Sequence, residues 1–134
     1  MAQNSSIVAR LSAMPLFAGL SDDDLDDIAR SLEVRQVKAG KTLIKQGQWG
    51  HELLVVLDGE VEIRRDDQTV ATQGPGSVVG ETAVLSDARR NASVVARAAA
   101  TVGTIEYSQI HALIDTIPEL GGRLDALTRD RAPE

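Results

Sequence analysis

Apolar positions recur along this chain with two different periods, and the change of period divides it. Ile7, Val8, Leu11 and Met14 follow helical spacing, and Pro15 ends that segment. Phe17 and Leu20 are expected to anchor the connection that follows. A second helix is predicted from Ser21 to Leu32, because Leu25, Ile28, Ala29 and Leu32 form one apolar stripe. Ser21 is placed to cap it, with Asp24 three residues on, as in a capping box. The aspartates at 22–24, 26 and 27 then lie near the positive end of the helix dipole. They do not suggest a calcium site, since consecutive helical residues diverge and the spacing of a calcium loop is missing.

From residue 33 the period becomes two. Val34 and Val37 are followed by an Ala39-Gly40 turn, and Thr42 to Ile44 make a short strand. Gln46 to Gly50 is a second turn. Leu53-Leu-Val-Val-Leu57 is a continuous apolar run and predicts a buried strand. Asp58-Gly59 is a tight hairpin signal. Val61 and Ile63 then alternate with Glu60, Glu62 and Arg64, Asp66-Asp67 turns the chain, and Thr69 to Thr72 returns. Ala92 to Ala100 and Thr101 to Tyr107 read as two more strands. Helical spacing resumes with Ile110, Leu113 and Ile114. Pro118 is suited to open a last helix carrying Leu120, Leu124 and Leu127. That stripe is under two heptads long, so packing on its own barrel is expected rather than dimerisation.

About eight short strands, with turns about every 8–12 residues, indicate an all-β sandwich or barrel. The expected fold is mainly β with flanking helices: a β-roll of the double-stranded β-helix or jelly-roll β-barrel type. Its parts are N-terminal helices at about 6–32, the roll at about 33–107 and C-terminal helices at about 108–130, all within a single domain of residues 1–134.

Composition narrows the chemistry. The 134 residues suit one core, and one Phe, one Trp and one Tyr leave that core to aliphatic side chains. With no cysteine there are no disulfides and no thiolate metal sites. A formal net charge of −6 argues against non-specific binding to nucleic acid or anionic membranes, because both need a positive field. No membrane span and no secretion signal are visible, so a cytoplasmic location is expected. An anion bound here must be held by local groups against that acidic background.

The stretch Gly74 to Ala96 is the place for such groups. Gly76 and Gly80 permit conformations or close approaches that a Cβ would block. Glu81-Thr-Ala-Val-Leu85 has the length of one or two helical turns, and a helix starting at a glycine offers free N–H groups to an anion. Arg90 is in phase with Ala92, Val94 and Ala96 on the next strand, which points it inward, whereas Arg89 is out of phase and expected to face solvent. A buried arginine needs a partner. Glu81 and a bound phosphate are both candidates on the residues alone.

Gly80-Glu-Thr-Ala-Val-Leu, Ser-Asp-Ala-Arg and Arg90-Asn-Ala-Ser-Val-Val95 together resemble the phosphate-binding cassette of the cyclic nucleotide-binding domain family, here at 76–93. Pro15-Leu-Phe-Ala-Gly-Leu-Ser-Asp22, Gly47, Gly50, Leu53 to Val61 and Gly74-Pro-Gly76 extend the similarity over nearly the whole chain. The resemblance implies that the ligand is cyclic AMP or cyclic GMP, with no further cofactor. It implies that Glu81 holds the ribose 2′-hydroxyl and that Arg90 pairs with the cyclic phosphate. Gly80, Thr82 and Ala83 would supply backbone contacts, Asn91 and Ala92 would line the far side, and the Val and Leu residues of the third and fourth strands would wall the base. Val79 stands where an aromatic residue is frequent in the family, and His51 where an acidic one is common. His51 is read as structural.

A non-enzymatic sensor of a cyclic purine nucleotide is therefore expected, with the helix of residues 118–130 moving to cover the base. The sequence carries no DNA-binding, kinase or channel segment, so a separate effector protein is expected, unless the chain belongs to a longer one. A metal enzyme on a β-roll needs clustered His ligands, and only His51 and His111 are present. The remaining alternative is an interaction module of the same fold that has lost its ligand.

Overall fold

The Leu53–Leu57 run is buried on both faces because it serves two cores. In the computed structural model, which describes residues 2–80 and 89–131, it lies in strand β3 (Glu52–Asp58). Leu53, Val55 and Leu57 face a core shared with the helices, while Leu54 and Val56 face a core between two sheets. A strand with apolar neighbours on both sides has no polar positions to alternate with, which is why its period was unreadable but its burial was plain.

The chain starts with α1 (Ala2–Ser12) and α2 (Asp22–Ser31). Ser21 caps α2 as expected, its hydroxyl accepting from the Asp24 N–H at 3.1 Å. Strands β1 (Glu33–Val37) and β2 (Thr42–Ile44) precede β3; β4 (Val61–Arg65), β5 (Gln68–Gln73), β6 (Val78–Val79), β7 (Ser93–Ala96) and β8 (Ala100–Glu106) follow it. The chain continues into α3 (Tyr107–Thr116) and α4 (Pro118–Arg131). Pro118 does open the last helix.

The strands form two antiparallel four-stranded sheets, ordered β1-β8-β3-β6 and β2-β7-β4-β5. Three layers result. The helices, with the α1–α2 connection, cover the outer face of the first sheet through Leu11, Phe17, Ile28, Ile110, Leu120 and Leu124. Its inner face meets the second sheet through Leu54, Val56, Val61, Val79, Val94 and Val102. The α4 stripe is part of this arrangement: Leu120 and Leu124 are buried and Leu127 is partly buried against the same cluster.

Two turns differ in role from the sequence pattern. Asp58-Gly59 does not close a hairpin, because β3 is already flanked by β8 and β6; the turn carries the chain from one sheet to the other. The β4–β5 hairpin is made at Asp66-Asp67, both in the left-handed region at φ 54° and 65°. The strand expected over Ala92–Ala100 is shorter, since the chain bends at residues 97–99 between β7 and β8.

Candidate functional site

Arg90 is held in place by strand-like pairing with a loop far away in sequence. Its N–H donates to the Gln48 carbonyl at 2.7 Å, and its own carbonyl accepts from the Gly47 N–H at 2.8 Å. Trp49 and Arg89 form an isolated antiparallel bridge beside them. This pairing decides which way the two arginines point. Arg89 is exposed, its guanidinium carbon 5.3 Å from the centroid of the Trp49 ring, a cation–π contact at the surface. Arg90 is turned inward and only 8% exposed, in phase with the buried Ala92, Val94 and Ala96, as strand parity predicts.

The buried guanidinium meets backbone carbonyls. Its Nη1 donates to Gly80 O at 3.0 Å and its Nη2 to Glu52 O at 2.5 Å. It thus ties the end of the β6 segment to the start of β3. Bonds from a guanidinium to carbonyl oxygens are charge-assisted and hold the side chain in place beside the cavity. Gly80 sits at φ 87°, and a Cβ there would overlap Nη1 of Arg90, so both the backbone conformation and the close approach expected of this glycine are present.

Gly50 makes room for this side chain. A Cβ on Gly50 would overlap Nε and Cζ of Arg90 and lie 2.8 Å from its Nη2. Glycine there is a steric requirement of the arginine, made by a residue forty positions away, and the sequence pattern alone showed it only as a turn.

Arg90 opens onto a cavity of about 200 Å³ lined by Leu43, Ile44, Lys45, Gln48, Trp49, His51, Glu52, Leu54 and Thr104 as well. Among the described residues, Lys45 and Arg90 bring two cations to its wall and Glu52 one carboxylate.

Of the residues singled out in the sequence, Gly80 and Arg90 are brought together here. Glu81, Thr82 and Ala83 lie outside the described residues. Asn91 is exposed, and its carbonyl accepts from Arg65 Nε at 3.1 Å; Ala92 is buried. Neither lines the cavity. Among the described residues the apolar lining of the cavity is Leu54 of β3, Leu43 and Ile44 of β2, and Trp49, with no residue of β4. Thr104 was not anticipated, although its parity with Ala100 and Val102 marks it as a polar residue on an inward face. His51 stands at the cavity, and its carbonyl accepts from the Tyr107 N–H at 2.7 Å. Among the described residues no group of three or more potential metal ligands assembles, and no helix is long and apolar enough to cross a membrane.

Residues 34–117 match the model of the cyclic nucleotide-binding domain. The cyclic AMP receptor protein of Thermus thermophilus is 30% identical over 92% of this chain, and a cAMP-dependent protein kinase regulatory subunit of Mycosarcoma maydis is 36% identical over 66% of it. The chain spans 60% and 18% of the lengths of these two relatives. The crystal structure of the Thermus thermophilus catabolite activator protein superposes with a TM-score of 0.80 at 31% identity, covering 87% of this chain and 57% of that one. The regulatory subunit of a cAMP-independent protein kinase A from Trypanosoma brucei shares the fold, with a TM-score of 0.84 at 23% identity over 96% of this chain and 46% of that one. The β-roll, its flanking helices and the family match over the roll lead to one conclusion: this chain belongs to the cyclic nucleotide-binding domain family.

Proposed function

We propose that the chain is a non-enzymatic regulatory module that binds cyclic AMP or cyclic GMP at Arg90. The observation that carries this reading is the inward Arg90, held by the Gln48 pairing and set beside an open cavity within the family-matched region. In this reading Arg90 neutralises the cyclic phosphate, and Glu81 accepts from the ribose 2′-hydroxyl. Backbone groups of Gly80, Thr82 and Ala83 complete the cradle, with Asn91 and Ala92 beyond it. No cofactor other than the nucleotide is required, and the module acts in the cytoplasm on a separate effector protein.

The output runs through α4. In the described state this helix is packed in the helical core, and Arg123 Nη1 donates to the carbonyls of Leu16 at 2.9 Å and Ala18 at 2.7 Å. Nucleotide binding shifts the population towards a state in which α4 leaves that position and covers the base. The ligand-free interaction module is the second reading. It is favoured by the carbonyl partners already on Arg90 and by the same fold in the regulatory subunit of a protein kinase A described as cAMP-independent.

Thermal unfolding separates the two. A ligand at a hundredfold its Kd stabilises the folded state by about 2.7 kcal/mol, a rise of several degrees for a domain of this size. The sensor reading expects that rise with cyclic AMP or cyclic GMP and none with 5′-AMP. No rise with either cyclic nucleotide points to the ligand-free module.

Gly50→Ala gives a finer test. The atom in the way is the far end of a flexible side chain, so the fold is expected to persist while the guanidinium is pushed aside. Nucleotide affinity should fall by about tenfold or more, the scale of a weakened charge-assisted contact. Equal affinity in the variant and the wild type would separate Arg90 from the ligand.

A further inference from the structure

Strand β8 alternates between the two cores: Ile105 faces the helices, and a Cβ on Gly103 would meet Leu32 there, while Ala100 and Val102 face the space between the sheets. That parity puts Thr104 on the inner face, next to its register partner Leu54, and both line the Arg90 cavity. Thr104 is 9% exposed, and its Oγ1 is buried with no hydrogen-bond partner among the described residues. An unmet buried hydroxyl is unfavourable, and buried polar groups in folded proteins are nearly always paired. Packing does not call for one here, since valine has the same shape and is the residue that β8 uses at 102, one inward position earlier.

We propose that Thr104 is a ligand-contacting residue: its hydroxyl donates to a phosphate oxygen of the nucleotide that Arg90 neutralises. This rests on the reading of the cavity as a cyclic nucleotide site. The phosphate is assigned rather than the base because the cavity's cations, Lys45 and Arg90, attract the anionic end, and a hydroxyl beside them has a donor to offer it. The hydroxyl that is unmet in the described state is then met in the bound one, so it contributes to affinity and not to the stability of the free protein.

Calorimetric titration of Thr104→Val and Thr104→Ser with cyclic AMP and cyclic GMP tests this, together with thermal unfolding of the free proteins. Thr104→Val should unfold at an unchanged or higher temperature, because it removes an unpaired hydroxyl. It should bind both nucleotides about tenfold more weakly, in line with loss of a hydrogen bond to a charged group. Thr104→Ser should stay within about twofold of wild type, because it keeps the donor. Wild-type affinity in Thr104→Val overturns the inference while leaving the nucleotide site intact. A loss confined to one nucleotide assigns the hydroxyl to the base and overturns it too, as does an equal loss in Thr104→Ser, which would assign the effect to the methyl group. Wild-type protein that binds neither nucleotide removes the inference along with the reading beneath it.

Discussion

Arg90→Ala is expected to weaken cyclic nucleotide binding by at least about 2 kcal/mol, roughly thirtyfold, as for a charge-assisted contact whose partner is left unpaired in a partly desolvated site. Two effects combine in that number. The phosphate loses its counter-charge on a chain whose background is acidic. The carbonyls of Gly80 and Glu52 lose their donors, which frees the end of the β6 segment from β3. The second effect also reaches the free protein, so a modest drop in unfolding temperature should accompany the loss of affinity. Arg90→Lys separates the two contributions. It keeps a charge but not the forked geometry that reaches both carbonyls, and it should recover only part of the affinity. Calorimetry on all three proteins, with unfolding curves beside it, reads both effects. Unchanged affinity in Arg90→Ala would remove the arginine from the site.

Gly59→Ala should cost about 2–4 kcal/mol of folding stability, the largest loss expected here from adding a single methyl group. Gly59 is in the left-handed region at φ 83°, where a side chain costs about 1 kcal/mol. The added Cβ would also stand 2.7 Å from Ala99 O and 2.8 Å from Ala100 Cα, backbone atoms at the start of β8 that cannot turn away. Forced overlap of that kind adds about 1–3 kcal/mol. The turn carries the chain from one sheet to the other, so relief by local movement would disturb the β3–β8 pairing. Gly40→Ala is the control. Its φ of 88° is similar, but nothing lies within 4 Å of its Cβ, so only the conformational cost of about 1 kcal/mol should appear. Chemical denaturation of the two variants separates strain from collision. Equal losses would show that the overlap at Gly59 is relieved at no cost.

The sequence made the elements legible where the physics is local. The Ser21 cap, the apolar stripes of the helices, Pro118 at a helix start and the parity that turns Arg90 inward all depend on neighbours within a few residues. Strand pairing is not local, and there the reading was incomplete. Asp58-Gly59 has the composition of a hairpin turn, but the partners of β3 are β8 and β6, a choice set by distant segments. For the same reason the partners of the buried arginine were open. Glu81 and phosphate are suggested by sequence proximity and resemblance, whereas the carbonyls of Glu52 and Gly80 become visible only when β3 and β6 are placed beside residue 90. Gly50 looked like a turn glycine and is a steric allowance for that arginine. Thr104 was within reach of parity reasoning, since it continues the inward series of Ala100 and Val102, but one threonine in a strand of good β-formers does not stand out until the cavity beside it is seen.

The central claim, that Arg90 serves a cyclic nucleotide site, is tested most directly by calorimetric titration of the wild-type chain with cyclic AMP and with cyclic GMP. The account predicts saturable binding of at least one of them at a single site per chain, and its loss to the extent given above in Arg90→Ala. Folded wild-type protein that takes up neither nucleotide would contradict it.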